Sequence, residues 1–271
     1  MRILAIDTSS RAVSAALLQD GRMASKYWME HGKTHSEALF PCIDAVLSGV
    51  GVPVEQIDVF TAITGPGSFT GLRIGVSAVK ALAYANRAKT VGVSTLDALA
   101  YKLGKYHGTL LIPLIDARND QVYTAIYTMA ENCGQQTASE AGIINGVSEN
   151  RAVFRISEEM AGSIQEAAQC IRQVLERLRG EKEIFDKSIV LILNGDAAQK
   201  HLEFLRASLP QVKCICAAEE DLLQDAEAAA RLAYIETENG RLLEPEMLMP
   251  NYLRLSQAEQ MKKGKPGETN L

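Results

Sequence analysis

Apolar and polar positions along the chain alternate between two spacings, and the change of period marks out successive elements. Ile3 to Thr8 is a short apolar run that closes in the polar turn Asp7-Thr8-Ser9-Ser10, the pattern of a buried strand. Ala12 to Gln19 continues in β-compatible residues. Asp20-Gly21 is a hairpin signal before a third strand from Arg22 to Glu30. Thr34 with Glu37 three residues on forms a capping box, and Leu39, Phe40, Ile43, Val46 and Leu47 then recur at helical spacing. The predicted helix runs from His35 to about Ser48. Pro41 lies beyond its first turn and should kink or loosen it. Pro53 opens a short helical turn, and Val59 to Thr64 is a strand that enters the glycine-rich GPGSFTG, Gly65 to Gly71. From Thr70 to Asn86 small residues (Gly71, Gly75, Ala78, Ala85) alternate with Leu72, Ile74, Val76, Val79 and Leu82, which predicts a helix with close neighbours. A strand from Thr90 to Val93 and a Ser94-capped helix carrying Leu96, Leu99 and Ala100 complete the first half.

The second half opens in the same way. An apolar strand, Leu110 to Ile115, turns at Asn119-Asp120 and returns along Val122, Tyr123, Ala125, Ile126 and Tyr127. After a polar stretch from Ala130 to Asn150 come a strand (Ala152 to Ile156), a helix (about Ser163 to Leu178) and a strand (Ile189 to Leu193). A helix after Asn194-Gly195-Asp196, a strand (Val212 to Cys216) and a helix (about Ala226 to Glu236) follow. This is an α/β protein with a duplicated lobe, the second copy reduced. The expected division is an N-terminal lobe at 1–107, a C-terminal lobe at 108–255 and a flexible tail at 256–271, where MKKGKPGETN lacks apolar residues.

Composition narrows the function classes. At 271 residues with 47% hydrophobic and 23% charged residues, the chain has a globular balance and no apolar stretch near membrane-spanning length. A net charge of -5 argues against a surface that grips nucleic acid unaided, because phosphate binding needs clustered Lys and Arg. Cys42, Cys133, Cys170, Cys214 and Cys216 are odd in number and scattered, as expected of reduced thiols in a cytosol. Asp7 cuts the N-terminal apolar run too early for a signal peptide.

A strand entering a glycine-rich turn that opens a helix is one way to aim backbone donors at phosphate. In GPGSFTG, however, Gly65, Gly67 and Gly71 are spaced one residue too widely for the dinucleotide fingerprint, and no acidic residue ends the next strand. The alternative is structural: Gly65 and Gly67 permit a sharp turn, while Gly71 and Gly75 let the helix approach another backbone. Asp7, Thr8 and Ser9 stand where actin-like and sugar-kinase-like ATPases carry a first phosphate loop, or form a turn that bonds its own backbone. The segment Ile115 to Asp120 offers no matching glycine, which speaks against nucleotide hydrolysis. No cofactor is expected. His31 and His35 have the four-residue spacing of a helical metal pair, but Gly32 lies between them and no third ligand is evident.

Read together, ILAIDTSS, THSEALFP, GPGSFTGLRIGVSAVKALAYA, IDARNDQVY and PNYLR resemble the TsaB (YeaZ) family, over nearly the whole chain. The resemblance implies an actin-like (ribonuclease H-like) two-lobed fold without established catalysis of its own. It also implies pairing with the catalytic paralogue TsaD, with the ATPase TsaE joining them, for threonylcarbamoyl transfer to the tRNA adenosine beside the anticodon. Transfer RNA would be met only through that complex, in the cytoplasm. The paralogue's HxxxH metal pair falls on His35 and Leu39 here, so one ligand is missing. The implied partner face comprises His35, Ser36, Leu39, Phe40, Ile43, Leu47, Thr70, Gly71, Leu72, Arg73, Gly75, Val76 and Val79, with Gly71, Gly75 and Ala78 allowing close approach and a homodimer forming in isolation. The competing enzymatic readings are a metal-dependent peptidase and a kinase using Asp7.

Overall fold

The structure, a computed structural model, describes residues 1–30, 34–106, 109–131, 151–180 and 189–254. His31, His107, Cys133, most of the polar stretch after Ala130 and the tail lie outside the described residues. Arg2–Asp7 (β1), Val13–Gln19 (β2) and Arg22–Met29 (β3) form an antiparallel meander, followed by His35–Ser48 (α1), Val59–Gly65 (β4), Phe69–Asn86 (α2), Lys89–Ser94 (β5) and Thr95–Lys102 (α3). The first sheet has the order β3-β2-β1-β4-β5, with β1, β4 and β5 parallel.

The second half contains Thr109–Asp116 (β6), Gln121–Thr124 (β7), Tyr127–Glu131 (β8), Arg151–Arg155 (β9), Met160–Ser163 (β10), Ile164–Gly180 (α4), Val190–Asn194 (β11), Ala198–Ser208 (α5), Lys213–Cys216 (β12), Glu219–Leu222 (α6) and Ala226–Glu238 (α7). Its sheet runs β10-β7-β6-β11-β12, strand for strand the order of the first, with the β8–β9 hairpin added on β6. Two copies of the same mixed sheet make this an α/β fold of the actin-like, ribonuclease H-like kind. One strand expected from Val122 to Tyr127 is in fact two. β6 pairs with β7 along Leu114–Asp116 and with β8 along Leu110–Leu111, so the returning chain changes course at the buried Ala125 and Ile126. β10 and α6 are too short to leave a periodic signal.

The first sheet is covered on both faces. Leu4, Ile6, Val13, Ala15, Leu17, Phe60 and Ala62 meet the inner stripes of α1 and α2. The alternate residues Ile3, Ala5, Ala16, Leu18, Val59 and Ile63 meet α3 and α7. The α1 capping box forms, with the Glu37 carboxylate accepting from the Thr34 amide at 2.9 Å. α1 is assigned unbroken through Pro41.

A boundary at residue 107 puts α7 in the second lobe, whereas its alanine face (Ala226, Ala228, Ala229, Ala230, Ala233) packs on β1, β2, β4 and β5 of the first. Short side chains bring the helix close to the sheet, which is why a segment late in sequence completes the early lobe. The chain then runs on as a strap. Leu243 bridges to Thr90, Leu248 enters the core shared with α2, and the Asn251 amide donates to the Thr64 carbonyl at 2.7 Å. Because Leu248 is the strap's buried anchor, Leu248→Ala should lower unfolding free energy by about 2–4 kcal/mol in urea titration.

Candidate functional site

The end of β1 and the start of α2 form one packed unit. A Cβ added at Gly71 would sit 1.9 Å from the Thr8 carbonyl oxygen, one at Gly75 would sit 2.3 Å from Thr8 Oγ1, and one at Gly67 would sit 2.5 Å from the Ser9 carbonyl oxygen. Thr8 Oγ1 donates to the Gly71 carbonyl at 2.7 Å, and the Ser68 amide donates to the Ser9 carbonyl at 2.8 Å. Gly65 has φ +124° and backs onto the Asn251 carbonyl. The hollow of the glycine turn is therefore filled by the chain's own backbone, and these glycines serve close approach.

Asp7 is buried, and its Oδ1 accepts from the Ser9 amide at 2.8 Å and the Ser9 hydroxyl at 2.6 Å. Burial raises its pKa to about 6, against the lowering effect of the Ser9 bonds. Gln224 Nε2 donates to Ser9 Oγ at 3.0 Å, tying this turn to the segment before α7. The second lobe repeats the turn: Asp116 Oδ1 accepts from the Arg118 amide at 2.9 Å. Arg118, Asn119 and Asp120 all adopt positive φ, a tight left-handed turn made without glycine. Among the described residues, no group of three His, Cys, Asp or Glu could hold a metal ion. His35 Nε2 pairs with the Ser10 carbonyl oxygen at 2.7 Å, and Leu39, 1% exposed, lies in the core. A hydrocarbon side chain donates nothing to a metal, so the residues present do not fit the paralogue's two-imidazole site.

The helical face requires a correction. Leu39, Ile43, Leu47, Leu72, Val76 and Val79 are buried against the chain's own sheet, and Gly71 and Gly75 lie under Thr8. They face inward because the sheet beneath already consumes the apolar stripe of each helix. What remains outward on α1 is Ser36, Glu37, Phe40 (52% exposed), Pro41 and Asp44, with His35 half-buried at its start. On α2 it is Thr70, Arg73, Ser77, Ala81 and Tyr84 (70% exposed), with Lys80 half-buried beside them. The strap borders α2: the Arg73 guanidinium lies 4.0 Å from the Phe69 ring centre and donates from Nε to the Tyr252 hydroxyl at 3.1 Å. Met247 and Met249 stand exposed next to it, and Lys80 Nζ donates to the Glu246 carbonyl at 3.1 Å. Tyr84, Met247 and Met249 were invisible to a reading confined to apolar periodicity, since none lies on an apolar stripe.

Sequence reasoning also missed a half-buried polar cluster between the lobes, gathered around the buried Tyr127. Tyr127 Oη donates to Asp97 Oδ1 at 2.7 Å, and Arg155 Nη1 lies 3.6 Å from Asp97 and 2.9 Å from Glu159. Ser94 Oγ donates to the same Glu159 oxygen at 2.5 Å. Two carboxylates share one guanidinium, and burial pushes Asp97 up to about 7 despite Arg155 and Tyr127.

A two-lobed α/β protein of the actin-like class, with its glycine turn closed by its own backbone and two helices turned outward, is what fold and site define. A family model for TsaD, tRNA N6-adenosine threonylcarbamoyltransferase, matches residues 29–232. Over 144 residues the chain is 33% identical to the tRNA threonylcarbamoyladenosine biosynthesis protein TsaB of Bacillus subtilis, covering 53% of this chain and 62% of that one. It is 37% identical over 133 residues to TsaB of Escherichia coli, covering 49% and 57%. The match thus spans less than two thirds of either relative. A Pseudomonas aeruginosa structure described as similar to peptidase YeaZ superposes with TM-score 0.68 at 25% identity, over 93% of this chain and 99% of that one. Pseudomonas aeruginosa YeaZ, at 23% identity and TM-score 0.65, shares the fold. The chain belongs to the TsaD family, and to the TsaB (YeaZ) group within it.

Two outcomes follow from this geometry. Gly71→Ala should lower unfolding free energy by about 2 kcal/mol or more in urea titration, since backbone rather than a flexible side chain blocks the new methyl. Asp97 holds its proton more tightly folded than unfolded, so the stability it contributes is complete below the ordinary carboxyl value of 3.8 and is lost as pH rises through about 7. Asp97→Asn should therefore gain stability relative to the parent chain as pH rises across that window. Parallel curves in thermal denaturation at several pH values would contradict this.

Proposed function

We propose that this chain is a non-catalytic subunit in forming threonylcarbamoyladenosine in tRNA, and that it works by pairing the outer face of α1 and α2 with the catalytic paralogue TsaD. The observation that carries the reading is Leu39, a buried hydrocarbon where the resemblance sets a metal-binding histidine in the paralogue. The names of the Bacillus and Escherichia relatives support the pathway. The packed glycine turn supports a role other than phosphate transfer, because Thr8 and Ser9 take the space beside Gly67, Gly71 and Gly75. The acidic balance of the chain, -5, supports leaving most tRNA contact to other subunits such as TsaD, with TsaE joining the assembly in the cytoplasm. The working contact face, revised by burial, is Ser36, Phe40, Thr70, Arg73, Ser77 and Tyr84, bordered by the strap. In isolation the same face pairs with itself.

Co-expression with tagged TsaD should recover a stable complex. Phe40→Glu and Tyr84→Glu, both exposed and outside the core, should each weaken that complex roughly tenfold or more while leaving the far-UV circular dichroism of the isolated chain unchanged. Failure to recover any complex, or undiminished threonylcarbamoyl transfer by TsaD without this chain, would sink the proposal.

A further inference from the structure

On the α3 and α7 side of the first sheet, away from α1 and α2, the two lobes leave a cavity of about 470 Å³ between them. That volume falls within the roughly 300–1,000 Å³ of small-molecule sites. None of its lining residues belongs to the Asp7–Ser9 turn, the glycine turn or the Asp97 cluster. Lys26 of β3, Tyr101 and Lys102 of α3, the following Lys105, and Glu227 and Arg231 of α7 form the first-lobe wall. The second lobe supplies Met129 of β8, Val153 of β9, and Glu220 and Asp221 of α6.

The charges in this cavity are balanced in sum but divided in place. At the β3–α7 end one carboxylate serves two cations: Glu227 lies 2.7 Å from Lys26 Nζ and 2.9 Å from Arg231 Nη2. At the α6 end one ammonium serves two carboxylates: Lys105 Nζ lies 2.6 Å from Asp221 and 3.5 Å from Glu220. Lys102 and Asp225 pair one to one at 3.0 Å. One positive charge is thus in excess at the first end and one negative charge at the second. Arg231 directs Nε and Nη2 at the same Glu227 oxygen, which leaves the Nη1 arm of its fork available. The Tyr101 hydroxyl bonds none of the described residues, and Tyr101 lies near enough to Arg231 and Glu227 to feel both charges. Met129, Val153 and Ala228 add apolar surface.

We propose that this cavity binds a short peptide of two or three residues with both termini free. Its carboxylate end lies toward Lys26 and Arg231, and its ammonium end toward Glu220 and Asp221. A ligand with a single charge satisfies one end and leaves the excess at the other. A free amino acid carries both charges on one carbon and cannot divide them between α7 and α6. Two or three extended residues separate the termini by roughly 7–11 Å, and their side chains lie over Met129 and Val153. The bound peptide bridges the lobes.

Isothermal titration calorimetry of the full chain, at neutral pH and low salt, tests this with the dipeptide Ala-Leu, its N-acetyl form, its C-terminal amide and free leucine. Ala-Leu should bind with a Kd of about 1 mM or tighter, as expected of a ligand of its size. The two capped forms and leucine should each bind roughly tenfold more weakly or not at all. Lys26→Met should weaken Ala-Leu about threefold or more and shrink the penalty of amidation, while the penalty of acetylation stays. Glu220→Gln should do the reverse. Both side chains are largely exposed, and a merely structural disturbance would weaken every ligand alike. Circular dichroism checks that each variant folds. No binding of Ala-Leu to the parent chain would overturn the proposal, as would penalties that neither variant moves. Equal binding of a capped form would reduce the site to one for a single charge, and equal binding of leucine to one for an amino acid. Either result overturns the peptide assignment.

Discussion

The approach of the β1 end to the α2 start is the constraint on which the rest of the first lobe depends. Thr8 and Ser9 occupy space that any side chain at positions 67, 71 or 75 would need. That contact seats α2 against β1 and β4, and the Thr8 hydroxyl and Ser9 carbonyl lock the turn with hydrogen bonds. His35 caps the adjoining Ser10 carbonyl, so α1 is referenced to the same few residues. The starts of two helices on one face of the sheet are thereby tied to the same turn. Any surface they build together inherits that registration.

A phosphate loop needs backbone amides aimed into open space. Here Thr8 and Ser9 take the space beside the glycines, and one oxygen of the Asp7 carboxylate is engaged by Ser9. The second lobe keeps the matching aspartate turn at Asp116, with Gly195 packed on the Leu114 backbone beside it. The inter-lobe cluster of Asp97, Tyr127, Arg155 and Glu159 joins α3 to β8 and β9 through half-buried charge.

The strap gives the first lobe its finish. It emerges from α7, pairs with β5, seats Leu248 in the core and backs onto Gly65 before Tyr252 reaches Arg73. A segment distant in sequence thus shapes the flank of the outer helical face. Rigid arginine and exposed methionine side by side are features of contact surfaces, and their position beside α2 extends the face beyond the two helices.

Much of this was legible in the residues themselves. The order of strands and helices, the hairpin at Asp20-Gly21, the Thr34–Glu37 box and the need for glycine at 71 and 75 are local matters, governed by periodicity, caps and the space a Cβ requires. What periodicity could not reveal is which neighbour each apolar stripe meets. Leu39, Ile43, Leu47, Leu72, Val76 and Val79 read equally well as core or as contact face, because burial against a sheet and burial against a partner use the same side chains. Only the packed sheet decided for the core, leaving Phe40, Arg73 and Tyr84 outside. Tertiary structure alone also decided that α7 and the strap complete the first lobe, and that Asp97 finds Arg155, because such contacts join residues whose distance along the chain carries no local signal.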